Sequence, residues 1–228
     1  MPDAMIPAPA VRAQPVRHVL PAGTELWRVH SVRRAATEFK ALPADLHWGG
    51  GRFCDIRDEL STAPAPYLYA ALSPLAALCE TLARDLRFRP DGRRRLTQRR
   101  VRDMLLSKIV AAVDLPLVDL TDRAGLAAVH QDVWLVQSAA PDYPRTRRWG
   151  SWMRHQAPWA VGFRWPSRQD FGPDASDVCV LYAADGAPAL LAPSGQEPLC
   201  LDDAAGRAYV NTLLEPLRIR VEQPRTRK

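Results

Sequence analysis

The chain has 228 residues, of which 47% are hydrophobic and 25% charged, a composition typical of a globular protein with one sizeable core. No apolar run approaches the length of a membrane span, so we expect a cytoplasmic protein with no membrane association. Four scattered cysteines and five histidines lack the spacing of metal ligands. We therefore predict that the cysteines are free, buried thiols and that the chain has no metal site.

The first residues are rich in proline and alanine, and they lack a continuous apolar segment after a basic start. This pattern argues against a secretory signal. We therefore predict a flexible arm over residues 1–22 and a single domain over residues 23–228.

Hydrophobic periodicity predicts strands and helices that are interspersed without a regular βαβ rhythm, which indicates an α+β fold. The predicted strands are Thr24–His30, Tyr67–Ala71, Asp103–Val113, Leu117–Leu120, Ala160–Trp165, Val178–Ala183, Ala189–Leu191 and Leu217–Glu222. The predicted helices are Ala35–Lys40, Ser73–Leu86, Asp122–His130, Arg145–Gln156 and Asp202–Leu214.

The helix that begins at Ser73 has the clearest signals. Ser73 can cap the free amides, and Pro74 is well tolerated at the first helical position. Glu80 lies off the leucine stripe of this helix, among alanines that leave room for another molecule. One interpretation is a surface ion pair with Arg84 at i+4; the other is a functional carboxylate.

Four segments, in the right order, resemble the RES domain family, which is named for its arginine, glutamate and serine. Gly50–Phe53 is similar to the family's G-G-R-W, and Tyr69–Glu80 is similar to Y-x-x-x-S-x-x-x-A-L-x-E. Leu26–Val29 resembles the opening L-Y-R strand, and Ala160–Arg168 resembles D-G-I-x-Y-P-S-R. The resemblance spans Leu26 to Leu191.

This resemblance implies a RES-like catalytic domain whose compact α+β fold is similar to the core of ADP-ribosyltransferases. It implies a toxin that cleaves the nicotinamide–ribose bond of NAD by hydrolysis or phosphorolysis, with NAD as substrate and no cofactor. A co-encoded antitoxin of the Xre, helix-turn-helix type would neutralise it. The family's catalytic positions fall on Arg52, Tyr69, Glu80 and Ser167. The substrate-binding positions fall on Arg28, Arg52, Tyr69 and Ser167.

These residue types suit the chemistry. Positive charge develops on the ribose as the bond breaks, and a carboxylate such as Glu80 stabilises it. Arginine suits a pyrophosphate better than lysine does, and Arg52 follows three glycines that let a phosphate approach the backbone. The glycines also fit a plain flexible turn. Tyr67 and Tyr69 compete for one role, and the spacing to Glu80 favours Tyr69.

Two other functions fit the same sequence. An ADP-ribosyltransferase would pass ADP-ribose from NAD to a protein target, and the acceptor (water, phosphate or a side chain) is open. A non-catalytic adaptor would bind an acidic partner or a nucleic acid through the basic runs at residues 93–102 and 145–148. Direct nucleic-acid binding is the weaker interpretation, because these runs lack interleaved aromatic residues.

The sequence also departs from the family pattern in three places. Asp55–Pro66 lengthens the gap between the arginine and tyrosine motifs. Cys54 replaces the usual asparagine, and Val161 replaces the aspartate of D-G-I. We expect these departures to affect the substrate loop more than the class of reaction.

Overall fold

A computed structural model describes residues 11–40, 50–54, 56, 64–168, 176–184, 186 and 188–222. Gly49 and most of the expected insertion at Asp55–Pro66 lie outside these residues. No helix of the described part is long and apolar enough to cross a membrane.

The described part contains eleven strands. They are β1 (Arg17–Leu20), β2 (Glu25–Ser31), β3 (Tyr67–Ala71), β4 (Arg94–Leu96), β5 (Met104–Ala111), β6 (Leu115–Asp119), β7 (Gly162–Pro166), β8 (Asp177–Tyr182), β9 (Leu191–Pro193), β10 (Leu199–Cys200) and β11 (Ile219–Val221).

One large mixed sheet has the strand order β1-β6-β7-β8-β3-β2-β5-β10, and β9 also pairs with β5. The β6–β7 pair is parallel, whereas the other pairs in this sheet are antiparallel. β4 and β11 form a separate parallel pair. The central position of β3, between β8 and β2, brings residues far apart in sequence to one part of the sheet.

The helices of the described part are α1 (Pro74–Leu78), α2 (Gln98–Val101), α3 (Arg123–Ala128), α4 (Trp134–Gln137), α5 (Tyr143–Gln156) and α6 (Ala204–Leu214). α1 continues directly into a π-helical turn, Cys79–Ala83. Short 3-10 segments cover Ala140–Asp142 and Glu215–Leu217.

The large sheet has an apolar core on each face. Along β8, Val178, Val180 and Tyr182 join the core that includes α1, α5 and α6, whereas Cys179 and Leu181 join the core on the other face. This alternation follows the two-residue period of a strand. The buried strand therefore reads as a continuous apolar run in the sequence.

The α+β class is confirmed, and so are most of the long predicted elements, within a few residues at their ends. Cys54, Cys79 and Cys179 are free and buried, as expected, and Cys200 is partly exposed. Among the described residues, no group of three or more His, Cys, Asp or Glu side chains could hold a metal ion.

The prediction of a flexible arm over residues 1–22 is wrong for its second half. β1 pairs with β6 along Arg17–Leu20, and the amide of Ala13 donates to Gln156 Oε1 at 3.2 Å. The pairing partner lies about a hundred residues away, so no local pattern shows it. Residues 1–10 lie outside the described part.

The helix predicted at Ala35–Lys40 is also wrong, because this segment forms turns. The side chain of Arg28 donates hydrogen bonds to two of its carbonyl groups, and Lys40 forms an isolated bridge with Tyr67. These contacts hold the segment against β2 and β3 and replace helical bonds. The short elements β4, α2, α4 and β10 were not predicted.

Candidate active site

One open cleft brings together Arg28 from β2, Arg52, Tyr69 from β3 and Glu80 from the π-helical turn. Its empty volume is about 1020 Å³, which includes space open to solvent. A smaller recess of about 280 Å³ shares Arg28, Tyr69 and Glu80, and its further lining is mainly apolar, with Trp27 and Trp165. This is the usual make-up of a small-molecule site, in which apolar walls carry a few convergent polar groups.

The position of Glu80 follows from how its helix begins and ends. The hydroxyl of Ser73 accepts a hydrogen bond from the amide of Ala76 at 3.1 Å, which confirms the predicted cap. After five α-helical residues the backbone widens into the π-helical turn. Such turns occur frequently at functional sites, because they re-aim side chains without breaking the helix. Here the turn presents Glu80 to the cleft and buries Leu82.

Two hydrogen bonds hold the carboxylate of Glu80 through one of its oxygen atoms. Its Oε1 atom accepts hydrogen bonds from the hydroxyl of Ser167 and from the amide of Arg168, each at 2.9 Å. Neither bond uses Oε2. Two donors on one oxygen fix the orientation of the carboxylate.

The ion pair between Glu80 and Arg84 is not formed. Among the described residues, the carboxylate paired with Arg84 is that of Asp85, at 3.6 Å. The interpretation of Glu80 as a surface ion-pair partner is therefore wrong.

Ser167 is the one predicted site residue that does not line the cleft. It is fully buried just after β7, behind Glu80, and borders a second groove between α3 and α4. Its contact with the site is the hydrogen bond to Glu80.

Tyr69 is fixed by the glycine motif. Its hydroxyl accepts a hydrogen bond from the amide of Phe53 at 2.8 Å. A Cβ atom on Gly51 would lie 2.6 Å from this hydroxyl, so Gly51 is required for the close packing of backbone and ring. Burial raises the pKa of Tyr69 well above its ordinary value. Tyr67 also lines the cleft, with its ring centroid 5.8 Å from that of Tyr69.

Arg52 is almost fully buried, and it is anchored to the segment between α4 and α5. Its Nη2 donates to the carbonyl of Ser138 at 3.1 Å, and its Nε donates to the hydroxyl of Ser138 at 3.4 Å. Its guanidinium carbon lies 5.5 Å from the ring centroid of Tyr143. Burial lowers the pKa of Arg52. Its hydrogen-bond partners are neutral, so they do not cancel its charge.

Arg28 is held in the same way by neutral groups. Its Nη1 donates to the carbonyls of Ala36 at 2.5 Å and Glu38 at 2.9 Å. Burial lowers the pKa of Arg28 to about 10. Burial makes this cation costly, the nearby carboxylate of Glu38 offsets part of the cost, and an anion in the cleft would stabilise it further.

Sequence reasoning missed several residues of the cleft. Lys40 reaches it because its backbone bridges Tyr67, a pairing across 27 positions that no local pattern shows. Arg84 was considered only as the partner of Glu80, although its i+4 spacing already placed it on the same side of the helix. Thr81 and Trp165 complete the missed lining.

Cys54, which replaces the usual asparagine, closes the glycine turn. Its sulfur accepts a hydrogen bond from the amide of Gly51 and donates one to the carbonyl of Gly51, both at 3.1 Å. The side chain thus supplies a donor and an acceptor, as an asparagine would. Val161, which replaces the aspartate, is partly buried and packs against the core on the other face of the sheet.

A large mixed sheet flanked by helices, with its cleft beside the central strands, defines the class of fold. The same fold occurs in a chain from the crystal structure of the M. tuberculosis MbcT–MbcA toxin–antitoxin complex, with a TM-score of 0.56 and 17% sequence identity. The match covers 88% of this chain and 91% of that one. No curated protein sequence matches the chain.

The family is shown by the sequence itself. Residues 25–202 match the RES domain, which is most of the chain. The protein therefore belongs to the RES domain family, as the four motif segments indicated.

Proposed function

We propose that the protein is a toxin of a toxin–antitoxin system that consumes NAD by cleaving its nicotinamide–ribose bond. The observation that carries this proposal is the Glu80 carboxylate, which is fixed through Oε1 and presented to a cleft lined by the buried cations Arg28 and Arg52, whose hydrogen-bond partners are neutral. Membership of the RES domain family supports it.

In the proposed reaction, the bond between ribose C1′ and the pyridinium nitrogen breaks, and its electron pair stays on nicotinamide. The leaving group becomes neutral without protonation. Positive charge develops on C1′ and the ring oxygen of the ribose, where Glu80 stabilises it. An acceptor then attacks C1′ and loses its proton, which yields ADP-ribose bound to that acceptor.

Arg28 and Arg52 are proposed to bind the phosphates of the dinucleotide from two sides of the cleft. Tyr69 lines the same cleft, and its hydroxyl is proposed to orient the substrate. Ser167 does not border the cleft, so we propose that it positions Glu80.

The acceptor distinguishes a hydrolase, a phosphorylase and a protein ADP-ribosyltransferase. The test is to incubate the purified protein with NAD, with and without phosphate, and to identify the products. We expect nicotinamide in each case, with ADP-ribose from water or its 1″-phosphate from phosphate. If NAD carries a label on its ADP-ribose part, transfer of that label to a protein in a mixture of candidate targets would identify a transferase. Absence of nicotinamide in every arm would contradict the proposal and favour an adaptor.

We also propose that an antitoxin of the Xre, helix-turn-helix type covers the cleft. The toxin–antitoxin complex that contains the fold neighbour supports an antitoxin partner, and the Xre, helix-turn-helix type is proposed from the resemblance to the family. The test is to co-express the chain with its adjacent gene and to ask whether the isolated complex has lost NAD turnover. A complex that retains full turnover would contradict it.

A further inference from the structure

Arg84 occupies a place in the cleft that the family motifs do not cover. It directly follows the π-helical turn and lines the cleft together with Arg52 and Glu80. Its side chain is 26% exposed, so it is neither a solvated surface group nor a core residue. The turn thus presents a carboxylate and a guanidinium group to the same space.

Arg84 and Arg52 meet at one aromatic ring. The guanidinium carbon of Arg84 lies 5.3 Å from the ring centroid of Tyr143, and that of Arg52 lies 5.5 Å from it. Tyr143 is buried at the start of α5. The ring attracts both cations, while the two cations repel each other. After burial, the nearby charge of Arg84 is one cause that lowers the pKa of Arg52.

The guanidinium group of Arg84 is incompletely satisfied. Its Nε atom is buried and has no hydrogen-bond partner among the described residues. The carboxylate of Asp85 is 3.6 Å away, and its side chain is 55% exposed. A buried donor without a partner is unfavourable. An anion in the cleft that accepts from the guanidinium groups of Arg84 and Arg52 would offset both charges and relieve the repulsion.

We propose that Arg84 is a further binding residue, which together with Arg52 forms a phosphate subsite beside Glu80. This inference rests on the proposed function. The ligand is a phosphate group, either the one nearest the nicotinamide ribose of the dinucleotide or a free phosphate that acts as acceptor. Arg84 shapes substrate binding and is not itself required for bond cleavage.

The first test uses inorganic pyrophosphate, because its binding does not depend on turnover. The melting temperature of the parent, Arg84→Ala, Arg84→Lys and Arg87→Ala is measured with and without pyrophosphate. Arg87 is the matched control, an exposed arginine three positions further along the chain. We expect Arg84→Ala to lose about half or more of the stabilising shift, Arg84→Lys less, and Arg87→Ala none. Equal shifts in all four proteins, or no shift in any, would overturn the subsite.

The second test separates the two sources of phosphate. In phosphate-free buffer, Arg84→Ala should raise KM for NAD about tenfold with kcat nearly unchanged if the dinucleotide's own phosphate binds. If Arg84→Ala instead changes how the rate of NAD turnover depends on added phosphate, and KM for NAD is unchanged, the subsite binds the acceptor phosphate. If the parent turns over NAD, and Arg84→Ala has the same KM for NAD and the same dependence on added phosphate, the phosphate subsite is wrong. The proposed function would then stand. A parent without turnover would contradict the proposed function and leave the pyrophosphate result to decide the subsite.

Discussion

The chain has two concentrations of arginine, and the structure uses them differently. In the cleft, Arg28 and Arg52 are only 4% and 3% exposed, and their hydrogen-bond partners are carbonyl and hydroxyl oxygens. In the basic run of residues 93–102, Arg95 forms an ion pair with Asp91, and the side chain of Arg100 donates to the carbonyl of Leu82. Arg93, Arg99 and Arg102 are exposed, whereas Arg94 is buried, donates to the carbonyl of Leu217 and lies against the ring of Phe88.

The number of charged residues in a stretch of sequence therefore does not locate a binding site. An exposed cation is solvated, and its ion pairs contribute little. A buried cation whose partners are neutral is unfavourable unless a ligand supplies the anion. On this ground we propose that an anionic substrate binds in the cleft and not on the exposed arginines of the basic run.

The largest effect is expected at Glu80. Glu80→Gln should lower turnover about 100-fold or more with NAD binding little changed, because the carboxylate stabilises charge that develops only in the transition state. Steady-state kinetics and a binding titration measure the two quantities separately. Glu25→Gln is the control, because this carboxylate is exposed and pairs with Lys108. Near-normal turnover in Glu80→Gln would remove it from the mechanism.

The next effect concerns the phosphates. Arg28→Ala or Arg52→Ala should weaken NAD binding by about 1.5–3 kcal/mol, the scale of a charge-assisted hydrogen bond. Arg52→Lys should restore part of the binding, because lysine lacks the bidentate fork. Both arginines also donate hydrogen bonds to backbone carbonyls, so their loss could destabilise the fold. A melting curve must therefore show that each variant is folded. If both alanine variants bind NAD as tightly as the parent, the phosphate site is wrong.

A smaller effect is expected at Ser167. Ser167→Ala should lower kcat about tenfold with KM nearly unchanged, because Glu80 Oε1 then keeps only the amide of Arg168 as donor. Steady-state kinetics measure this split. A rise in KM with kcat intact would instead indicate that Ser167 contacts the substrate.

The pH dependence of binding tests the buried state of Arg28. Its pKa is lowered to about 10, so the charged form is complete well below this pH and is lost as the pH rises through it. The affinity for ADP-ribose should therefore be constant up to about pH 9 and fall by about half near pH 10. Arg28→Ala should reduce this fall, and the remainder comes from Lys40, whose pKa is also lowered by burial in the same cleft. An unchanged affinity in the folded parent up to pH 11 would show that Arg28 does not carry the binding charge.

The smallest effect is expected in the basic run. Replacing Arg93, Arg99 and Arg102 together by alanine should leave NAD turnover within about twofold of the parent, because solvated charges outside the cleft add little. The same variant should be titrated with a nucleic acid at several salt concentrations. Loss of NAD turnover would contradict the division between the two arginine regions.

The sequence predicted which candidate residues lie together better than it predicted the edges of the fold. The motif spacing identified Arg28, Arg52, Tyr69 and Glu80, and the structure brings all four to one cleft. The cap at Ser73 was predicted from local chemistry alone. Spacing could also place Arg84 near Glu80, but only the structure shows that both arginines meet at Tyr143.

What was missed depends on contacts between distant parts of the chain. β1 is a strand because β6 pairs with it, and its own four residues carry no strong pattern. The Ala35–Lys40 segment has helical spacing, but Arg28 and Tyr67 bind its backbone groups instead. Tertiary hydrogen bonds of this kind override local propensity.

A crystal structure of Glu80→Gln with NAD bound tests most directly whether the cleft binds NAD. Slow turnover in this variant preserves the substrate. We predict that the nicotinamide ribose lies beside position 80 and that the phosphates contact the guanidinium groups of the cleft. A dinucleotide bound on the basic run of residues 93–102, or a cleft that stays empty at saturating NAD, would contradict the account.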